Sequence, residues 1–169
     1  IDISVPRIDS KSTGKGHKDF EVKLGRGITL QQDQLRRDFW MNAMARDVET
    51  GEIHDIDKKG QTDIENKQIR VIGAQAFKED PLRMLRAVQF AARFDFTIET
   101  ETMKQIKKNV NLIKTVSAER FQEEFKKMFE KGTPSVGVDL LQQTGILKKL
   151  FPRARDTFSV EYDKLDKKG

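Results

Sequence analysis

Several charged residues along one predicted helix have the types and spacing needed to read a nucleotide base. Arg83, Arg86 and Arg93 fall on one face of the helix that Asp80-Pro81 is expected to start. Asp80 stands three residues before Arg83, so the two side chains should project together from the first turn. A carboxylate accepts hydrogen bonds and a guanidinium donates them, which matches the amino group and ring nitrogen of adenine or cytosine.

Guanine and uracil carry a carbonyl where adenine and cytosine carry that amino group. An Asp80–Arg83 pair would therefore leave a polar group unpaired against guanine or uracil, a discrimination of about 1–3 kcal/mol. The same residues also fit an ordinary aspartate N-cap followed by a surface arginine stripe. The spacing alone leaves both interpretations open.

A second charged cluster, Arg36-Arg37-Asp38, lies where a predicted helix meets a predicted strand. Two guanidiniums there could bind phosphates, and the carboxylate could accept from a ribose hydroxyl. A solvated charge cluster at the end of an element is the alternative. Asn42 follows in the same segment, and it fits either a turn hydrogen bond or a nucleotide contact.

Asp2 is the candidate metal ligand, on the polar face of a strand predicted over 1–5. One carboxylate needs further carboxylates and substrate phosphates to hold Mg²⁺. The chain has 0 cysteines and 2 histidines, so thiolate metal sites and cysteine catalysis are excluded. Its glycines have neither P-loop nor Rossmann spacing, and neither histidine stands in a recognisable nucleophile context.

The order of sequence patterns predicts an α+β fold, with short strands first and helices after about Gly73. The first half should hold a helix that begins at the Thr29/Gln32 capping box, then a strand over 39–45 paired in a hairpin with 53–56. Strand signals stop after Gly73. Helices are expected over 80–94, 100–109, 117–131 and 134–150, the last interrupted at Gly145. The predicted division is a first domain over 1–73, a helical domain over 74–151 and a polar tail over 152–169.

Composition favours a cytoplasmic protein with a polyanionic partner. The 169 residues carry a formal net charge of +5, and no apolar run approaches the length of a membrane span. The first residues show no targeting pattern, so we expect a soluble protein with no membrane partner.

Four segments, in order, resemble the class II tRNA nucleotidyltransferase family of CCA-adding enzymes and bacterial poly(A) polymerases. Residues 36–45 (RRDFWMNAMA) are similar to the family's R-R-D-F-x-x-N-A-[ML]-A segment, and residues 79–94 (EDPLRMLRAVQFAARF) to its E-D-x-x-R helix. Residues 55–64 (DIDKKGQTDI) and 117–125 (SAERFQEEF) are weaker matches to two further segments.

The resemblance implies a partial nucleotidyltransferase head followed by a helical neck, and the addition of C and A to a tRNA 3′ end with Mg²⁺. CTP, ATP and the tRNA 3′ end are the implied partners. Asp80 and Arg83 would read the base with Arg86 beside them, Arg36 and Arg37 would bind the triphosphate, and Asp38 would face the ribose. Asp2 would be the third carboxylate of the head.

The family's D-x-D metal pair has no counterpart ahead of Asp2. We therefore expect a missing upstream segment or a second chain, and no polymerisation by this chain alone. Poly(A) addition within the same family remains an alternative function. The other alternative is a non-catalytic nucleotide- or RNA-binding remnant.

Overall fold

The computed structural model describes the backbone of residues 7–9 and 22–24 and all of residues 27–152. The predicted strand over 1–5, Asp2 and the polar tail beyond residue 152 lie outside the described residues. Two antiparallel pairs come first along the chain: β1 (Arg7–Asp9) with β2 (Val22–Leu24), and β3 (Ala45–Arg46) with β4 (Ile53–His54).

The helix predicted at Thr29 forms as α1 (Leu30–Leu35). The Thr29 hydroxyl accepts from the Gln32 amide at 3.2 Å, and the Gln32 side chain accepts from the Thr29 amide at 2.9 Å. This reciprocal capping box satisfies two amides that would otherwise lack partners at the helix start. Helix α1 ends at Leu35, so Arg36, the first residue of the charged cluster, directly follows its last turn.

The strand predicted over 39–45 is wrong for most of its length. Trp40–Asn42 forms a 3₁₀ helix, because the Asn42 amide donates to the Phe39 carbonyl and the Ala43 amide donates to the Trp40 carbonyl, each at 2.9 Å. Asp38 promotes this turn, since its Oδ1 accepts from both the Phe39 amide and the Asn42 side chain. Strand character remains at an isolated bridge between Phe39 and Val71, and in the short β3 of the hairpin.

A close packing contact holds the following helix, α2 (Lys59–Glu65), against the 3₁₀ helix. A Cβ added at Gly60 would lie 2.8 Å from the Trp40 carbonyl oxygen and 2.5 Å from Met44 Cγ. A side chain there would displace backbone, so this approach requires glycine.

The second half is helical, as the sequence predicts. Its helices are α3 (Ala76–Glu79), α4 (Leu82–Phe94), α5 (Thr100–Asn109), α6 (Ala118–Lys131), α7 (Pro134–Thr144) and α8 (Ile146–Leu150). Gly145 separates the last two in a left-handed conformation, with a φ of 80°. The predicted α+β fold class is confirmed.

One strand occurs where the pattern predicts only helices. β6 (Thr97–Ile98) pairs in parallel with β5 (Gln68–Ile69), and Thr97 and Glu99 amides donate to the Lys67 and Ile69 carbonyls. A two-residue strand is too short for alternation to reveal it. The pairing ties the chain after α4 to the segment before α3.

The hydrophobic core lies around α4. Met84, Leu85, Val88 and Ala91 are fully buried on one side of this helix. The same cluster includes Phe39 from the first half and Met128 from α6. Burying this stripe leaves the opposite side of the first turns of α4, with its arginines, facing the segment 36–42. Among the described residues, no helix is both long and apolar enough to cross a membrane.

Candidate nucleotide-binding site

A polar pocket of about 450 Å³ lies between the segment after α1, the start of α4 and the start of α6. Its volume is within the range of small-molecule sites. Its lining residues are Arg36, Arg37, Asp38, Asn42, Asp80, Arg83, Arg86, Phe90 and Arg120. Five arginines against two aspartates make the wall strongly positive, which favours an anionic ligand.

Arg36 and Arg37 share one buried carboxylate, Asp33 of α1. Arg36 donates from Nε and Nη2 to Asp33 Oδ1 at 2.9 and 2.6 Å, and Arg37 donates from Nη2 to Asp33 Oδ2 at 2.9 Å. Asp33 thus orders two adjacent guanidiniums that would otherwise repel each other. Arg37 keeps the more exposed side chain of the two, at 45% against 18%.

Asp38 is a buried hub of hydrogen bonds. Its Oδ1 accepts from the Phe39 amide at 2.9 Å and from Asn42 Nδ2 at 3.0 Å, and its Oδ2 accepts from Arg86 Nε at 2.7 Å. Asn42 therefore makes the turn hydrogen bond, and its side chain also lines the pocket. A nucleotide contact by Asn42 stays a prediction.

Arg86 carries the connection across to α6. Its Nη1 lies 3.5 Å from Oε1 of the buried Glu124, which also accepts from Lys127 Nζ at 2.9 Å. The guanidinium also stands over the Phe90 ring, 5.3 Å from its centroid. Arg86 is thus fixed by contacts from three directions.

Asp80 is paired with Arg120 of α6. Arg120 Nη1 donates to Oδ1 at 3.1 Å and Nη2 donates to Oδ2 at 2.9 Å, while Oδ1 also accepts from the Leu82 amide at 3.1 Å. Burial alone would raise the pKa of Asp80, but the Arg120 hydrogen bonds and charge, the Leu82 amide and the Arg83 charge hold it below its ordinary value. Asp80 is therefore an ionised acceptor at neutral pH.

Arg83 points into the same pocket but bonds elsewhere. Its Nη2 donates to the Arg36 carbonyl at 2.7 Å, and its Nη1 donates to Glu79 Oε2 at 3.4 Å. The spacing correctly places Asp80 and Arg83 on one wall of the pocket, although the strongest partner of Asp80 is Arg120, 40 positions further along the chain.

The structure brings together every predicted site residue except Asp2, which lies outside the described residues. Arg36, Arg37, Asp38, Asn42, Asp80, Arg83 and Arg86 all line this pocket. Arg93, the last arginine of the predicted stripe, is exposed and stands outside it. The roles expected of these residues stay predictions.

Sequence reasoning missed Asp33 and Glu124 beneath the pocket and Arg120 and Phe90 on its wall. Arg120 and Glu124 stand in the segment 117–125, whose resemblance marked it without assigning a role to either side chain. Asp33 stands three and four residues before Arg36 and Arg37, and this helical spacing was the available signal.

Within residues 27–152, no group of three or more histidines, aspartates or glutamates lies close enough to hold a metal ion. The pocket carboxylates are held by arginines, so the described pocket does not fit Mg²⁺ by itself.

Two family models match the chain. Residues 1–70 match the one described as the poly A polymerase head domain, and residues 95–157 match the one described as the probable RNA and SrmB-binding site of polymerase A. A multifunctional CCA protein of Shewanella denitrificans is 39% identical over 165 residues, covering 94% of this chain and 39% of that protein. The chain thus spans about two fifths of the length of this curated relative.

Solved structures agree with the sequence matches. The CCA-adding enzyme of Thermotoga maritima, complexed with tRNA, superposes with a TM-score of 0.70 and is 34% identical, covering 74% of this chain and 32% of that one. The enzyme of Bacillus stearothermophilus, in complex with CTP, gives a TM-score of 0.69 at 36% identity, with 74% and 31% covered.

The fold is that of the nucleotidyltransferase class, as the match to two CCA-adding enzymes over 74% of this chain shows. More narrowly, this chain belongs to the family of CCA-adding enzymes and poly(A) polymerases, as the resemblance in its motifs predicted.

Proposed function

We propose that this chain supplies the nucleotide-selecting part of a tRNA nucleotidyltransferase that adds C and A to the tRNA 3′ end. The incoming CTP or ATP would occupy the pocket between the segment 36–42, α4 and α6. The observation that carries the proposal is an ionised Asp80 next to Arg83 on the wall of a pocket rich in arginine. The similarity to the CCA-adding enzymes of Thermotoga maritima and Bacillus stearothermophilus supports the choice of reaction.

Base selection would come from Asp80 and Arg83. Among the described contacts, Asp80 Oδ2 accepts one hydrogen bond, so a second acceptor position is left for an exocyclic amino group. Arg83 donates in two described contacts and has five N–H groups, so donors are left for a ring nitrogen. The pair thus offers the pattern that complements cytosine and adenine.

Arg36 and Arg37 would bind the triphosphate, and Asp38 would accept from the ribose. Asp33 already orders the two guanidiniums before a nucleotide binds, so less side-chain entropy would be lost when the triphosphate binds. Asp38 has one acceptor position left on Oδ2 beyond its bond with Arg86, among the contacts described. Arg86 would keep that carboxylate pointed at the pocket.

Mg²⁺ belongs to the proposal as the cofactor of phosphoryl transfer, with Asp2 as a proposed ligand. Metal ions in this chemistry neutralise charge that develops on the transferring phosphoryl group. Because the described pocket does not fit the ion, the proposal for these residues covers nucleotide binding and base selection alone.

The test is calorimetric titration of the chain with CTP, ATP, GTP and UTP. We expect CTP and ATP to bind about tenfold more tightly than GTP and UTP, the ratio that corresponds to about 1.4 kcal/mol. Asp80→Asn and Arg83→Gln should each remove this preference. Arg93→Gln, an exposed arginine of the same helix outside the pocket, is the matched control and should leave it unchanged.

Equal binding of all four nucleotides by the folded, unmodified chain would contradict the proposal. Selection of ATP over CTP would instead favour poly(A) addition, the alternative within the same family.

A further inference from the structure

We propose that Arg120 is a positioning residue of the base-reading site, which fixes the Asp80 carboxylate at the pocket wall and keeps both its oxygens hydrogen-bond acceptors. The inference rests on the function proposed above and extends it. It makes base selection by Asp80 and Arg83 depend on a residue of α6, 40 positions after Asp80 in the chain.

The first step is orientation. Arg120 donates to both oxygens of Asp80, at 3.1 and 2.9 Å, and the Leu82 amide donates to Oδ1 at 3.1 Å. Rotation of the carboxylate would break all three bonds together. A base that meets Asp80 therefore meets an acceptor in a fixed direction, and a fixed direction is what hydrogen-bond selectivity requires.

The second step is the charge of Asp80. Burial pushes its pKa upward, and Arg120 is the largest opposing influence, through hydrogen bonds and through charge. Without Arg120, only the Leu82 amide and the Arg83 charge of these groups would be left to oppose the effect of burial. The pKa of Asp80 would therefore rise.

The other charged groups near Asp80 are already engaged. Glu79 of α3 is paired with Arg83, Asp38 is paired with Arg86, and Glu124 is paired with Lys127. Arg36 and Arg37 complete the charged wall and are held by Asp33. Arg120 is thus the cation whose removal would change the charge state of Asp80 most directly.

The third step is the consequence for the base. A protonated carboxyl group donates through O–H, so it could bond to the carbonyl of uracil or guanine and would lose an acceptor for the amino group of cytosine or adenine. Arg83 would still present N–H donors to the ring nitrogen of the base. That nitrogen carries a hydrogen in uracil, so this contact stays unfavourable for uracil. In a variant without Arg120, the preference for CTP over UTP should therefore become smaller as the pH falls, but it should not reverse.

The experiment compares the unmodified chain with Arg120→Met, which keeps an unbranched apolar stem and removes the hydrogen-bond donors. Dissociation constants for CTP and UTP are measured at about pH 7.5 and about pH 5.5, and the carboxyl carbon of Asp80 is titrated by NMR. Any titration of the nucleotides themselves affects both proteins and cancels in the comparison.

For the unmodified chain we expect the UTP-to-CTP ratio of dissociation constants to stay constant over this range. For Arg120→Met, the ratio should fall by about threefold or more toward the lower pH, and the Asp80 titration should move upward. Arg120→Lys should restore part of both effects, since it keeps the charge but not the two parallel bonds. Asp80→Asn/Arg120→Met should show no pH dependence of the ratio, because the titrating group is gone.

Three outcomes would overturn the inference. The Asp80 titration could be unchanged in Arg120→Met, or it could move with no effect on the nucleotide ratio. Arg120→Met could also weaken the binding of CTP and UTP equally at both pH values, which would make Arg120 a direct nucleotide contact. If the unmodified chain selects CTP over UTP, these failures leave the proposed function standing; if it does not, both proposals fall. Thermal unfolding of each variant confirms that it is folded.

Discussion

Asp80 and Asp63 each face one arginine at 2.9 Å, Arg120 and Arg70 respectively, yet their pKa values shift in opposite directions. The pKa of Asp80 lies below its ordinary value. Burial raises the pKa of Asp63 above its ordinary value, in spite of the hydrogen bond and charge of Arg70. A matching pair distance therefore does not make the two sites equivalent.

The surroundings explain the difference. The Asp63 side chain is 1% exposed, and the negative charges of Glu99 and Asp55 add to the effect of burial. Burial raises the pKa of Asp80 as well, but hydrogen bonds from Arg120 and the Leu82 amide, with the charges of Arg120 and Arg83, outweigh it. Asp63 connects α2 to Arg70, the residue directly after β5, and serves the fold, whereas Asp80 faces a space large enough for a ligand.

The largest expected difference between the two sites is in stability. Arg70→Met leaves the buried Asp63 without its cation and should lower the free energy of unfolding by about 3 kcal/mol. Arg120→Met should cost less, about 1 kcal/mol, because Asp80 keeps the Leu82 amide, Arg83 and contact with water. Urea denaturation of both variants gives the two values.

Lys104→Met is the control for removing a cation. The side chains of Lys104 and Glu101 are 69% and 61% exposed. Loss of this exposed ion pair in Lys104→Met should change the free energy of unfolding by less than about 0.5 kcal/mol. Equal costs for Arg70→Met and Arg120→Met would remove the distinction between a structural pair and a pocket pair.

The next effect is on nucleotide selection, at about tenfold or about 1.4 kcal/mol. Asp80→Asn should abolish the preference for CTP over UTP, because its amide offers a donor as well as an acceptor. Asp63→Asn should keep the preference, since Asp63 does not line the pocket. Calorimetric titration of both variants checks this, and a loss of selectivity in Asp63→Asn would show that the two regions are coupled.

The smallest effect is the pH dependence of stability, and its sign differs between the two sites. With a raised folded pKa, Asp63 contributes stability that is present below its ordinary value of 3.8 and is lost as the pH rises through the folded value. With a lowered folded pKa, Asp80 contributes stability that is present above 3.8 and is lost as the pH falls through the folded value.

Unfolding free energies of the unmodified chain, Asp63→Asn and Asp80→Asn between about pH 3 and about pH 6 test these signs. As the pH falls, the unfolding free energy of the unmodified chain should decrease relative to that of Asp80→Asn. Over the same range it should increase relative to that of Asp63→Asn. Parallel curves for the two variants would contradict the assigned directions.

Local signals in the sequence were sufficient for much of the fold. The capping box at Thr29, the helix start at Asp80-Pro81 and the break at Gly145 all act within a few residues, and the structure has a helix boundary at or beside each of them. The segment 39–45 was mispredicted because its apolar and aromatic residues suit a strand, while hydrogen bonds to Asp38 turn the chain.

The sequence also determined which residues carry the candidate site. Runs of arginine and aspartate at fixed spacing marked the segment 36–42 and the start of α4, because spacing on one helix decides which side chains share a face. The family resemblance placed both segments in one protein class.

Only the tertiary structure decided how these residues pair. Arg120 reaches Asp80 and Glu124 reaches Arg86 because α6 packs on α4, with the buried Met128 of α6 in the same hydrophobic core as α4. The sequence distance between these partners corresponds to about eleven helical turns, far beyond the range of local periodicity. The pKa of a carboxyl group depends on burial and on every charge nearby, so Asp80 and Asp63 could be told apart only once the chain was folded.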